Sequence, residues 1–548
     1  MLERRALVNE ALLERRALVN EALLSACAAG TVAALLAWLG PPGTDLAAHA
    51  YQRTLYLQHG FTLWNNFWYA GRYSFITYSL IYYPVAALVG IKLLAVATIA
   101  LGALAFAAVV WHEWGPPTRW SSRTFAVVWA GIVLIAAFPF ALGFAFALLA
   151  LWALQTHARW RFAGLALLSL AASPLAFFLL AIVLAAIALG RRASVQSSWL
   201  PLTVVAVAGL GELLLWRLFP DNGRYPFHTG DILAGSVFCV LGLALTWRVE
   251  RARVLRFFFA LYLVAMIGAY VVPSQLGGNI DRLRFMAIPL AALVLALRSW
   301  RPLPIAVGAM LLAVSWNVSP LAANYVQDRA DVTANASTWP AAISYLDEHA
   351  APQYRVEAVD TVGHWPAFYL ANADIPLARG WFRQDDFPQN SVLYSKFGPG
   401  AYLRWLHSLG VGYVVLSKAP PDYSSAAEAR LVRSGRTGLV PVFHTSKLTI
   451  YKVPHARPIV TGPGTPAVMS MTDAKMTVFF TRGGSYRIAV RWSPYWRASH
   501  ACLWQGKDGM LRLTTPRSRL VRLTFIVSAD SALDALAGAR QSCAKPDN

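Results

Sequence analysis

Apolar and polar positions divide this chain into two regimes. Up to about residue 320 it runs in long apolar blocks joined by short arginine-bearing loops; beyond that, apolar and polar residues alternate and turn residues recur. A helix of about 20 residues crosses the ~30 Å of bilayer hydrocarbon. Spans are predicted near 22–40, 91–111, 124–138, 141–156, 161–173, 174–190, 199–218, 231–247, 255–273, 284–298 and 303–318. Arg119, Arg123, Arg159, Arg161, Arg191, Arg192, the arginines from Arg248 to Arg256, Arg298 and Arg301 then fall on the N-terminal side, against Arg53, Arg72, Arg224, Arg282 and Arg284 on the other. Cytoplasmic loops carry the excess of Lys and Arg, so eleven spans are expected, with the N-terminus inside and the C-terminus outside. Counting the apolar stretch 76–90 as a span would invert this order. It is read as an interfacial or re-entrant helix ending the first exterior loop, 41–90, with Tyr78, Tyr82 and Tyr83 at headgroup depth. Phe138-Pro139-Phe140 and Ser173-Pro174 are expected to be tight turns between spans, since proline breaks helix hydrogen bonding.

In the second regime, YRVEAV, VGYVVLS, LVPVFHT, KLTIYKV, SYRIAVRW and LVRLTFIVS alternate as half-buried strands do. Ser337–His349 and Gly400–Leu409 read as helices. The resulting layout is a cytoplasmic segment 1–21, a transmembrane domain 22–320, an extracytoplasmic mixed α/β domain 321–455 and a β-sandwich-like domain 456–548. Overall this is a polytopic α-helical membrane protein with an extracytoplasmic C-terminal region.

Composition supports the membrane assignment: 57% of the 548 residues are hydrophobic and 14% charged, against about 25% charged in soluble domains. The net charge of +21 is explained by arginines that fix topology, and no nucleic-acid partner is expected. Four cysteines are too few for a disulfide framework. Cys27 and Cys239 lie in apolar runs, while Cys502 and Cys543 share the C-terminal region, where an oxidising exterior would permit pairing. LERRALVNEAL occurs twice in tandem, at 2–12 and 13–23. Eleven residues make nearly three helical turns, so both copies present one face; the repeat is read as a duplicated cytoplasmic lead-in rather than a cleaved signal.

The stretch from Thr44 to Pro84 concentrates an acid, histidines, arginines and aromatics directly after the first span. Its DLAAHAYQ, LWNNFWYAGRY and YYP pieces resemble a bacterial membrane-protein family labelled 6-pyruvoyl-tetrahydropterin synthase-related. ARGWFRQDDFPQN, YLRWLHSLGVGYVVLS and RWSPYW are similar to the C-terminal domain of its actinobacterial members. An acid early in an amphipathic first exterior loop resembles the GT-C fold of membrane glycosyltransferases. That resemblance implies a polyprenyl-phosphate sugar donor, and a first-loop acid that acts as base on an acceptor hydroxyl or helps hold a divalent metal, Mg or Mn.

Asp45 is the residue to which that role transfers; the competing reading is that Thr44-Asp45 caps the helix starting at Leu46. His49, four residues on, projects from the same helical face as a metal or phosphate contact, or else as a surface histidine. Arg53, Arg72, Arg282 and Arg284 could each grip a lipid-linked phosphate bidentately or anchor to headgroups, and Arg284 is favoured for the donor; Asp281 is expected to pair with Arg282. Trp64, Trp68 and Tyr69 could stack on sugars, with Asn65 supplying hydrogen bonds, or form an interfacial aromatic belt. Trp381, Arg383, Gln384, Asp385 and Asn390 form either a sugar site or a buried polar network. Glu212 is an acid within an apolar run, a functional candidate by default, or a partner of Arg217.

These readings converge on an integral membrane glycosyltransferase moving a sugar from a polyprenyl phosphate to a cell-envelope glycan, lipid or protein at the exterior face of the cell membrane. The alternatives are a transporter or flippase of lipid-linked glycans and a non-catalytic envelope assembly factor.

Overall fold

The computed structural model describes residues 2–191, 195–221, 223–350 and 352–543. Arg192 lies outside them, as do the side chains of the first repeat copy, Arg4 and Arg5 included. The chain forms two compact units: a helical one of Met1–Gly43, Tyr78–Gly211 and Arg224–Val326, and a sheet-bearing one of Thr44–Thr77, Glu212–Gly223 and Gln327–Asn548.

In the helical unit and its continuations, eight helices among the described residues are long and apolar enough to cross a membrane: Leu13–Leu39, Ile91–Trp114, Phe138–Gln155, Pro174–Arg191, Trp199–Leu218, Thr229–Thr246, Glu250–Val271 and Leu303–Ala330. This is a multi-pass membrane protein. The other three expected spans are shorter helices, Arg119–Trp129, Arg159–Ala172 and Ala287–Leu297. At 1.5 Å per residue an eleven-residue helix covers only about 17 Å. The first of them runs into a 3₁₀ stretch, Ala130–Leu134, before Ala136 reverses the chain at φ 59°. The repeat is continuous with the first span in one helix, Leu2–Leu39. Glu21 of the second copy accepts two hydrogen bonds of 3.1 Å from Arg123. Proline sits in the first turn of Phe138–Gln155 and opens Pro174–Arg191, as the turn readings require. The 76–90 segment forms only a short helix, Tyr82–Val89. Tyr82 and Tyr83 are buried and pack edge to face at 5.3 Å.

Among the described residues the sheet unit holds three sheets besides a small hairpin. In the first, Arg355–Ala358 pairs parallel with Val411–Ser417, and Leu448–Lys452 and Val440–His444 continue it antiparallel. Two further sheets form the sandwich. One runs Gln541–Cys543, Cys502–Gln505, Met510–Thr515, Gly484–Arg491 and Val460–Thr461; the other runs Trp496–Ala498, Arg519–Phe525, Lys475–Phe480 and Ala467–Thr472. Burial alternates along Lys475–Phe480 and Arg519–Phe525, as in strands with one face on the core. Cys502 and Cys543 stand opposite each other on paired strands and form a disulfide.

The hairpin belongs to this core. Trp64-Asn65 pairs antiparallel with Arg72-Tyr73. Asn65 closes its start by accepting the Phe67 N–H at 2.8 Å. Gly71 sits at φ +101°, where a Cβ would lie 2.5 Å from the Trp64 ring. Trp64 packs on Phe525 at 5.0 Å and Trp496 at 5.7 Å, and Tyr73 on Phe219 at 5.5 Å. The fully buried Arg355 donates to the Asn66 and Ala489 carbonyls at 3.1 and 2.8 Å.

Candidate functional site

The first helix of the sheet unit, Leu46–His59, starts immediately after Asp45. Asp45 occupies the capping position with φ −89° and ψ 2°, yet its side chain makes no capping hydrogen bond. Its Oδ1 instead accepts the indole N–H of Trp381 at 2.8 Å. The capping reading is thereby corrected: the carboxylate is held by a residue 336 positions away in sequence. Thr44 donates to Asp328 at 3.1 Å, giving the start of this helix a second carboxylate. His49 is fully buried with its ring edge-on to Trp381 at 5.6 Å, so it is not a surface histidine. Arg53 is half-buried one turn later on the same helix. Half-buried Asp45, Trp381 and His49 thus make one cluster, with an oriented carboxylate as its chemically useful group.

The neighbouring aromatics lie elsewhere in the packing. Trp68 and Tyr69 are fully buried: Trp68 packs on Tyr51 at 4.4 Å and donates to the Ala367 carbonyl at 3.1 Å. Asn65 donates to the Tyr51 hydroxyl at 3.0 Å. With Trp64, these side chains build the interior of the sheet unit, correcting their assignment to sugar stacking or a membrane belt. Arg72, 3% exposed, is ion-paired with Asp385 and stacked on Phe382 at 3.8 Å; headgroup anchoring is excluded for it by burial.

The 378–390 segment is threaded by a buried polar network. Arg383 meets Asp360, Asp422 at 3.1 Å and His364 at 3.1 Å. Arg379 grips Asp386 bidentately at 3.0 and 2.9 Å and donates to Ser424 and Ser425. Asn390 donates to Asp386 at 3.0 Å and accepts from Trp405 at 3.1 Å. Gln384 is half-buried in the same short 3₁₀ turn as Arg383 and Asp385. Burial alone would raise the Asp360 carboxyl, but His364 and Arg383 hold it well below the carboxylate range. Burial likewise opposes the charge of Asp386, and Arg379 outweighs it, lowering that carboxyl. Buried charges persist when paired and hydrogen-bonded in this way, and Arg383, Asp385 and Asn390 belong to this buried polar network.

In the helical unit Asp281 pairs with Arg284 at 3.3 Å, not with Arg282, whose guanidinium lies 5.3 Å over Phe140. Arg284 and Asp231 stand on the wall of a cavity of about 610 Å³ whose other walls are largely apolar, among them Leu233, Phe238, Leu290 and Trp316. Arg217 donates to the Leu536 carbonyl at 3.1 Å rather than pairing with Glu212. Among the described residues, no three His, Cys, Asp or Glu side chains group as a metal site.

Sequence reasoning missed Arg379, Asp386, Asp360 and His364 as network members. Arg379 and Asp386 were visible in ARGWFRQDDFPQN, but their role depends on partners such as Ser424 that lie far along the chain.

No family model matches the chain. No curated protein matches it either. Among solved structures it is similar to arabinofuranosyltransferase AftD from mycobacteria, at 14% identity and a TM-score of 0.45 over 94% of this chain. A second structure, of a mutant of that enzyme, gives 13% identity and a TM-score of 0.46. The chain spans 57% and 60% of those two proteins.

Proposed function

We propose that the protein is a GT-C-type glycosyltransferase that moves a sugar from a polyprenyl phosphate to a cell-envelope acceptor at the exterior face of the membrane, with its N-terminus cytoplasmic. The observation that carries this reading is Asp45: a half-buried carboxylate at a helix start that is not used as a cap and is oriented by the Trp381 indole. A carboxylate fixed in this way suits general-base work, which contributes typically 10²–10⁴-fold.

In the proposed reaction an acceptor hydroxyl oxygen attacks the anomeric carbon as Asp45 takes its proton. The bond from that carbon to the phosphate oxygen breaks, and its electron pair leaves on the polyprenyl phosphate. Arg284 supports the donor end of this reading, because a guanidinium beside an apolar cavity matches a lipid with a phosphate head. Among the described residues no three His, Cys, Asp or Glu side chains group as a cation site, and the step is written without a metal.

The test is transfer from a radiolabelled polyprenyl-phosphate sugar by the purified full chain in lipid nanodiscs. Asp45→Asn is expected to cut transfer by at least about 100-fold while expression and thermal unfolding stay unchanged. Arg284→Ala should raise KM for the donor more than it lowers kcat. Passage of the labelled lipid across the bilayer without transfer would favour the flippase reading instead.

A further inference from the structure

A second cavity, of about 610 Å³, lies within the sheet unit, walled by the Trp64–Tyr73 hairpin, Asp221, the Phe387–Gln389 turn and sandwich residues around Arg491 and Asp508. Its size is that of a small-ligand site. The wall is polar and aromatic together: Arg72, Arg491, Gln389 and Asp221 line it with the half-buried Trp492, and the exposed Lys507 stands at its edge.

Three of these groups are incompletely satisfied. Arg72 gives its Nε to Asp385, yet its buried Nη1 has no hydrogen-bond partner among the described residues. The same holds for Arg491 Nε and Gln389 Oε1. Leaving a buried polar atom unpaired costs about 1–3 kcal/mol, and these two donors and one acceptor belong to three residues that line a single cavity. Burial, with the adjacent Asp385 carboxylate, pushes Asp221 up to about 8. Near neutral pH Asp221 therefore retains its proton and offers the cavity a donor. A bare phosphate would satisfy the arginines but face carboxyl oxygens and the Gln389 carbonyl. A sugar hydroxyl donates and accepts at one atom, and an indole suits the apolar side of its ring.

We propose that this cavity is a glycan-binding subsite, holding a sugar unit by hydroxyl hydrogen bonds to Arg72, Arg491 and Gln389 with Trp492 beside the ring. It deepens the transfer reading by giving the acceptor chain a second hold, and it rests on that reading for the ligand's role but not for its binding.

The experiment titrates the purified full chain in detergent with soluble neutral oligosaccharides of varied sugar and linkage, followed by calorimetry and tryptophan fluorescence. Saturable binding of at least one is expected, weakened about tenfold or more by Trp492→Ala and by Gln389→Ala. Inorganic phosphate at equal concentration should not displace it. No binding across the set, affinity unchanged in both variants, or displacement by phosphate would overturn the proposal. Asp45→Asn separates the two readings: it should bind the oligosaccharide with wild-type affinity, and if it also transfers normally the transfer reading falls while the subsite stands.

Discussion

At the scale of single residues, the Asp45–Trp381 hydrogen bond of 2.8 Å connects the two conspicuous motifs of the sequence. Trp381→Phe retains most of the ring and removes the donor. A hydrogen bond to a charged group contributes about 1.5–3 kcal/mol, so transfer should fall about tenfold or more. Because the indole N–H favours the ionised carboxylate, its loss should also move the acidic limb of the pH–rate profile upward. An unchanged limb would show that Trp381 only packs. Asp45 itself was legible from its place after the first apolar run. The function of Trp381 was not, because composition does not say which of several aromatics meets the acid.

At the scale of elements, the Trp64–Tyr73 hairpin shows what periodicity leaves out. Strands such as Val411–Ser417 and helices such as Ile91–Trp114 were legible because their apolar spacing repeats over many residues. The hairpin strands are two residues long and carry no period. Tryptophan and tyrosine serve equally in membrane belts and protein cores, so burial against Phe525 and Trp496 could not be read from the loop alone. Gly71 is the test of this element. At φ +101°, with a Cβ position 2.5 Å from Trp64, Gly71→Ala should destabilise the sheet unit by about 1–3 kcal/mol. A thermal midpoint equal to wild type would contradict the packing described.

At the scale of the whole molecule, the titrating groups of the sheet unit shift mostly one way. Burial raises Glu357, whose carboxyl oxygens have no hydrogen-bond partner among the described residues, with Glu428 adding to the shift. Burial pushes Glu428 up to about 7, Asp221 to about 8 and Asp473 to about 6. His364 is also raised: burial opposes its charge, but Asp360 outweighs burial. From about pH 5 to 8 the folded chain therefore holds protons that the unfolded chain has released, and stability falls as pH rises. The lowered carboxyls Asp360 and Asp386 act in the opposite sense, but only as pH falls below about 4. Thermal unfolding of the full chain should have a higher midpoint near pH 5.5 than near pH 8.5, and Glu357→Gln should narrow the difference. A midpoint that climbs with pH over this interval would contradict these assignments. Membrane character and the alternating strands were legible at this scale. The buried ionic network was not, since its partners, such as Arg383 with Asp422 or Arg72 with Asp385, are joined only by the fold.

The central claim is that the Asp45 carboxylate performs sugar transfer. The most direct measurement compares wild-type and Asp45→Asn full-length protein, in nanodiscs, for transfer of a radiolabelled sugar from its polyprenyl phosphate to an envelope glycan acceptor. The account predicts transfer by the wild type and a loss of at least about 100-fold in the variant, with thermal unfolding unchanged. Equal transfer by the two proteins would contradict it.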